Sequence, residues 1–309
     1  MKNLCFAALL LCATGGFALP IASSARSMVP SELQQLIGVD YRALKDSPTA
    51  QALKQQVLPD NLKELETALK GIGIDSDHDL DQLDFASFRT EKKGIQTIGI
   101  AQGSFSAKAV LKKLKRNKIA AVKYGTANVY PMDDGMIMTF LDDNTLAFGN
   151  SDSLHSALDT RDGKRTSLDS NPEMTDQMAS VDGAPLWSIL DQKGTQAMMM
   201  SVMGDAAKVG DYDSLKKRIL ASSYTMNFAT GVNFDLNVLT ADSMTAATLS
   251  TLLKGVMLYK KLNASAIEKT AIEATTVDSD SSNLRLHFKT DDTKFQSLLH
   301  APLFAAVSH

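Results

Sequence analysis

Five aspartates crowd one short stretch: Asp75, Asp77, Asp79, Asp81 and Asp84. Carboxylates at alternate positions offer the hard oxygen ligands that suit Ca²⁺. An EF-hand loop also needs glycine at its sixth position and glutamate at its twelfth. Counted from Asp75, those places hold Leu80 and Ala86. The run therefore reads as a solvated turn and helix start, where aspartate caps free N–H groups and favours the helix dipole.

Thioethers are a second candidate. Met132, Met136 and Met138 surround an expected hairpin, and Met198, Met199, Met200 and Met203 share an expected helix. Soft sulfur suits Cu(I), but no histidine flanks either group, and Met199 and Met203 are spaced as core fillers. The histidines His78, His155, His287, His300 and His309 make no HExxH spacing. A triad assembled from distant positions has no sequence signature of its own. Ser214-Leu215-Lys216-Lys217 matches SxxK, but its SDN and KTG companions are absent, as are GxSxG, a P-loop and GxGxxG. No catalytic residue, metal ligand or cofactor is assigned.

One helix offers a surface instead. Between Lys108 and Lys118, an apolar stripe of Ala107, Val110, Leu111 and Leu114 lies opposite Lys108, Lys112, Lys113, Lys115, Arg116 and Lys118. Such a face is a solvated helix side with cations favoured near its C-terminal end, or it meets anionic headgroups or an acidic partner. Lys108, Lys112, Lys113, Lys115 and Arg116 form the candidate interaction face. The chain as a whole carries a net charge of −3, without the basic excess of a nucleic-acid binder.

The elements that must hold this face begin after an apolar leader. Lys2 supplies a positive start, Leu4 to Leu11 an apolar run, and Gly16-Phe17-Ala18 the small residues of a signal-peptidase site. Residues 1–18 are expected to be a signal peptide, with Ser23-Ser24-Ala25 as an alternative site. Cys5 and Cys12 both fall inside it, so the mature chain is expected to lack thiols and disulfides. A lipid anchor on Cys12 is disfavoured because Leu11 stands where a small residue is needed. No later apolar run approaches the ~20 residues of a membrane span.

A linker is expected over Ile21 to Pro30, then amphipathic helices over Pro48 to Leu58 and Asn61 to Lys70, the latter stopped by Gly71. β runs follow at Ile95–Ala101, Ala121–Tyr130, Met136–Leu141 and Thr145–Phe148. Asp133-Asp134-Gly135 marks a tight turn, and a short helix from Ser151 ends at Asp162-Gly163. Later come a hairpin, Tyr224–Ala229 with Val232–Leu239, a long helix capped by Asp242, β runs at Ala271–Val277 and Leu284–Lys289, and a final helix near Asp291–Leu299. The pattern ββ-α-ββ-α occurs twice, and "FGNSDSLHSAL" from Phe148 parallels "FKTDDTKFQSLL" from Phe288. These readings predict an α+β fold of two similar halves, residues 30–178 and 183–309. Each half is a mostly antiparallel sheet with helices on one side.

The segments "GIDSDHDLDQLDFASF" from Gly73, "GSFSAKAVLKKL" from Gly103, "LAFGNSDSLHSALDTRDG" from Leu146 and "NPEM…APLWSILD" over Asn171–Asp191 resemble a loosely defined group of exported bacterial proteins of unknown function, acidobacterial in type. The resemblance implies an extracytoplasmic location and a duplicated α+β fold, and carries no active site. The reading is a periplasmic or secreted, non-catalytic protein with a binding, scaffolding or envelope role. Its partner is expected to be an anionic envelope component or another envelope protein. An extracytoplasmic hydrolase and a methionine-based soft-metal binder are the alternatives.

Overall fold

The computed structural model describes residues 21–57, 67–91, 93–132, 135–204 and 212–299. Twelve strands make one sheet: β1 (Leu33–Asp40), β2 (Leu80–Thr90), β3 (Gly94–Gly103), β4 (Val122–Tyr124), β5 (Ala127–Pro131), β6 (Ile137–Phe140), β7 (Thr145–Gly149), β8 (Leu186–Leu190), β9 (Ile219–Asn227), β10 (Val232–Thr240), β11 (Thr275–Asp280) and β12 (Asn283–Thr290). The spatial order is β11-β12-β10-β9-β8-β1-β2-β3-β7-β6-β5-β4, and every neighbouring pair runs antiparallel. Outward from the central β1–β8 pair, β1-β2-β3-β7-β6 on one side is matched by β8-β9-β10-β12-β11 on the other. The fold is α+β and antiparallel, as expected, with both segments joined in a single sheet.

Helices α1 (Ser23–Arg26), α2 (Tyr41–Leu44), α3 (Pro48–Val57), α4 (Ser76–Asp79), α5 (Ala107–Arg116), α6 (Ser151–Arg161), α7 (Pro172–Ser180), α8 (Gln192–Met203), α9 (Tyr212–Lys216), α10 (Ser243–Asn263), α11 (Ala266–Glu273) and α12 (Asp292–Leu299) surround it; residues 67–72 are also helical. In the first segment helices cover both faces, because β3 buries Ile98 and Ile100 on one side and Ala101 on the other. Ile98 and Ile100 pack with α1, α6 and α7, while Ala101 packs with α5 and residues 67–72. In the second segment β8 is still covered on both faces, with Trp187 and Ile189 against α7, but at β10 and β12 helices cover one face only among the described residues. Leu236, Val238 and Leu284 pack under α8 and α10, whereas Asp235, Arg285 and His287 project from the opposite, exposed face. At the centre a Cβ on Gly38 would lie 2.2 Å from the Trp187 ring, so only glycine lets the indole cross β1 there.

Several local expectations are corrected. Ile21 to Pro30 is no linker: Ile21, Ala25, Met28 and Val29 are fully buried, and Arg26 ties the turn down through the Ile21 carbonyl (2.7 Å) and Asp169 (2.9 Å). The helix expected to stop at Gly71 continues to residue 72 and ends at Gly73, whose φ of +97° accommodates the C-terminal turn. The run from Ala121 to Tyr130 is a hairpin, β4–β5, bent at Gly125 with φ +53°. Residues 271–273 close α11 before β11 begins. Asp133 and Asp134 lie outside the described residues, as do residues 1–20 and most of the expected Asn61–Lys70 helix.

Candidate interaction face

β3 delivers the chain to α5 through two tight contacts. The Ser104 amide donates to the Asp79 carbonyl (2.8 Å) and the Ala107 amide to the Asp143 carbonyl (2.8 Å), which fixes where the helix starts. Ala107, Val110 and Leu114 are buried on the sheet, and that seating turns Lys108, Lys112, Lys115 and Arg116 outward, all exposed. Lys113 is half-buried, and its Nζ donates to the Lys70 carbonyl at the end of the adjoining helical residues (3.4 Å). Beyond the helix, Lys118 takes a left-handed φ of 60°. The Ile119 amide then bonds the Leu114 carbonyl (2.9 Å) and the Ile119 side chain packs against the core. Lys123 pairs with Asn128, two residues from Tyr130, which packs into the same cluster as α5. The strand alternation therefore puts Lys123 on the α5 side of the sheet.

From Gly94 to Met132 the sequence has seven basic residues and no acidic one, in a chain whose net charge is −3. Among the described residues, none of the cations from Lys108 to Lys123 lies within ion-pair distance of a carboxylate. Cations elsewhere are commonly matched: Arg26 with Asp169 (2.9 Å), Arg165 with Glu32 (3.1 Å) and Lys164 with Asp159 (2.7 Å). The face is exposed. It can attract and orient an anionic surface, and its field falls away within about 10 Å at moderate salt.

The other sequence candidates separate. Asp75 caps α4 by accepting from the Asp77 amide (3.1 Å), and its hydrogen bond with His78 (3.0 Å) holds its carboxyl below the usual carboxylate range. Asp81 pairs with Arg42, while Asp84 points into the core. Met132 and Met138 are buried among Leu80, Leu83, Leu146 and Phe148. That is a hydrophobic core, and Met136 is half-buried against it, so the three sulfurs do not form the exposed cluster a soft-metal site requires. Met199 and Met203 are likewise core. Ser214 and Lys217 are both exposed, with no hydrogen bond between them among the described residues. No three His, Cys, Asp or Glu side chains converge as metal ligands among the described residues.

One grouping escaped the sequence reading. Ser151 Oγ lies 3.3 Å from His155 Nδ1, one turn along α6. The His155 ring stacks on Tyr124, with centroids 3.8 Å apart and planes at 4°. Tyr124 donates to Asp159 (3.1 Å), which also accepts from Lys164 (2.7 Å). Partial burial and that acceptor push the Tyr124 hydroxyl above its ordinary value. The i,i+4 spacing of Ser151 and His155 was visible; the strand bringing Tyr124 to them was not. Separately, an open cleft of about 510 Å³ lies between the α2–α3 turn, the loop before β8 and the start of α12. Asp40, Asp46, Asp292 and Ser47 line it, but no histidine does. Asp40 and Ser47 already cap α2 and α3 (2.8 and 3.2 Å).

No family model matches the chain, and no curated protein matches it. Among solved structures, crystal form I of TP0453 superposes with a TM-score of 0.52 at 9% identity, covering 90% of this chain and 98% of that one. Crystal form III of TP0453 gives a TM-score of 0.48 at 9% identity, covering 89% of this chain and 97% of that one. The chain thus shares its overall α+β fold with TP0453, and the likeness extends to the fold alone.

Proposed function

We propose that this protein is exported, non-catalytic, and binds an anionic component of the cell envelope through Lys108, Lys112, Lys115, Arg116 and Lys123. The observation that carries this reading is charge segregation. Seven cations and no carboxylate fall between Gly94 and Met132, so the rest of the chain carries ten more acidic than basic residues. The leader pattern from Lys2 to Ala18 supports export. The buried Ile21 and Ala25 favour cleavage after Ala18, because cutting after Ala25 would remove both from the core. The matched strand orders flanking β1–β8 support an ancestral duplication.

The test is co-sedimentation of the mature protein with phosphatidylglycerol vesicles and with phosphatidylcholine vesicles. Binding is expected to the anionic vesicles only and to fade by about 0.5 M salt, where surface charge is screened. Reversing Lys108, Lys112, Lys115 and Arg116 to glutamate should abolish it. Equal binding by that variant rejects the reading.

A hydrolase reading is favoured by the Ser151–His155 contact. It predicts labelling of Ser151 by a fluorophosphonate probe, lost in Ser151→Ala; an unlabelled wild-type protein rejects it.

A further inference from the structure

Helix α10 lacks the charged outer side that a surface helix ordinarily carries. Thr245, Ala246, Leu249, Ser250 and Leu253 are buried on its inner side. Met244, Thr248, Thr251, Gly255, Leu258 and Leu262 follow one another at alternating steps of four and three, the spacing of a coiled-coil seam. Met244, Leu258 and Leu262 are 79, 67 and 76% exposed, and Tyr259 beside them is 69% exposed. The hydroxyls of Thr248 and Thr251 donate to the Met244 and Ala247 carbonyls (2.8 and 3.0 Å), so the stripe leaves no threonine donor unmatched.

Gly255 is the second, independent sign. A Cβ there would meet nothing within 4 Å, and the residue does not adopt a positive φ. Glycine within a helix weakens it, and nothing among the described residues requires one at that point.

We propose that α10 packs antiparallel against α10 of a second copy, about a two-fold axis that crosses the stripe midway between Thr251 and Gly255. That operation sets Met244 opposite Leu262, Thr248 opposite Leu258, and Thr251 opposite Gly255, with bulky residues at the ends and the smallest where the axes cross. The stripe is complementary to itself, as a two-fold contact demands. Charge selects this occupant over a lipid surface. Lys254 and Lys261 flank the stripe and are matched by Asp278 (3.7 Å) and Glu273 (2.6 Å) of their own chain, while the exposed Lys260 lies on the side of the helix away from the stripe. The stripe therefore presents little positive field to an anionic membrane and little repulsion to another copy. The four exposed side chains offer roughly 500 Å² per copy, or about 1,000 Å² in the pair, the lower limit for a specific interface. The dimer is weak and reversible.

Sedimentation velocity of the full mature chain over a concentration series tests this. The wild type is expected to move from monomer to dimer as concentration rises. Gly255→Leu and Leu258→Glu are each expected to raise the dimer Kd by roughly tenfold or more. Gly255→Leu should melt no lower than the wild type in dilute solution, since its side chain enters open space in the monomer. Gly255→Ala should raise the monomer Tm while weakening the dimer, opposite signs that a purely structural glycine would not give. A wild type that stays monomeric to about 1 mM, or a dimer whose Kd neither substitution moves, overturns the proposal.

Discussion

Asp84 sits on β2 with no exposed surface, facing the side of the sheet that carries Gly38, Ala86 and Ile100. Its Oδ1 accepts from Gln82 (2.8 Å), and its Oδ2 has no partner among the described residues. Burial penalises the anion and pushes the carboxyl from 3.8 up to about 8, against the pull of the Gln82 hydrogen bond. The folded chain therefore keeps a proton that the unfolded chain releases. Stability from this group is fully present below the unfolded value, falls as pH rises, and is lost beyond about pH 8. One proton limits the slope to about 1.4 kcal/mol per pH unit, or about 3 kcal/mol between pH 5 and 7.5. Asp84→Asn keeps the shape and cannot ionise. Urea unfolding at a series of pH values in that range, followed by the fluorescence of Trp187, the single tryptophan, should show the wild type losing about that much relative to the variant. Other titrations are common to both proteins and cancel. Parallel stability profiles would refute the reasoning.

Other perturbations probe the scaffold. Gly38→Ala forces a methyl into the Trp187 ring and should cost about 1–3 kcal/mol in chemical denaturation, with a shift in tryptophan emission. Met28→Ala, at a fully buried position, should cost about 2–4 kcal/mol, a loss that a true linker residue would not produce. Asp191→Ala removes both the carboxylate that accepts from Arg89 (3.0 Å) and the α8 cap on the Gly194 amide (2.8 Å). A loss of about 2–4 kcal/mol is expected in thermal or urea melts, and Asp191→Asn should recover the capping share. If the protein is exported as proposed, mass spectrometry of its mature form should place the first residue at Leu19.

The legible parts of the fold were those whose signals were local. Gly231 between two alternating runs marked the β9–β10 hairpin, and Asp242 marked the start of α10, where it accepts from the Thr245 amide (2.8 Å). β1 and β2 escaped because they lie mid-sheet, where both faces are covered and alternation is lost. Leu36 and Ile37 are adjacent apolar residues on opposite faces, and the register shifts between Leu33 and Gln35. The acidic run also disguised β2: Asp81 is half-buried on the same strand that fully buries Asp84. The α11 start was legible yet missed, since Ser265 and Glu268 form a capping box. Of the interaction face, the α5 cations were readable from helical spacing. Lys123 was not, because its side of the sheet depends on the β4–β5 register.

The joining of β1 to β8 has a consequence for biogenesis. β1 is synthesised first, yet one of its two borders is completed only by residues near 186–190. A chain emerging from the ribosome therefore displays an open strand rich in leucine, isoleucine and valine until more than half its length has appeared. Truncated or stalled chains that end before β8 keep that border bare, and are the species most prone to pair with one another and aggregate.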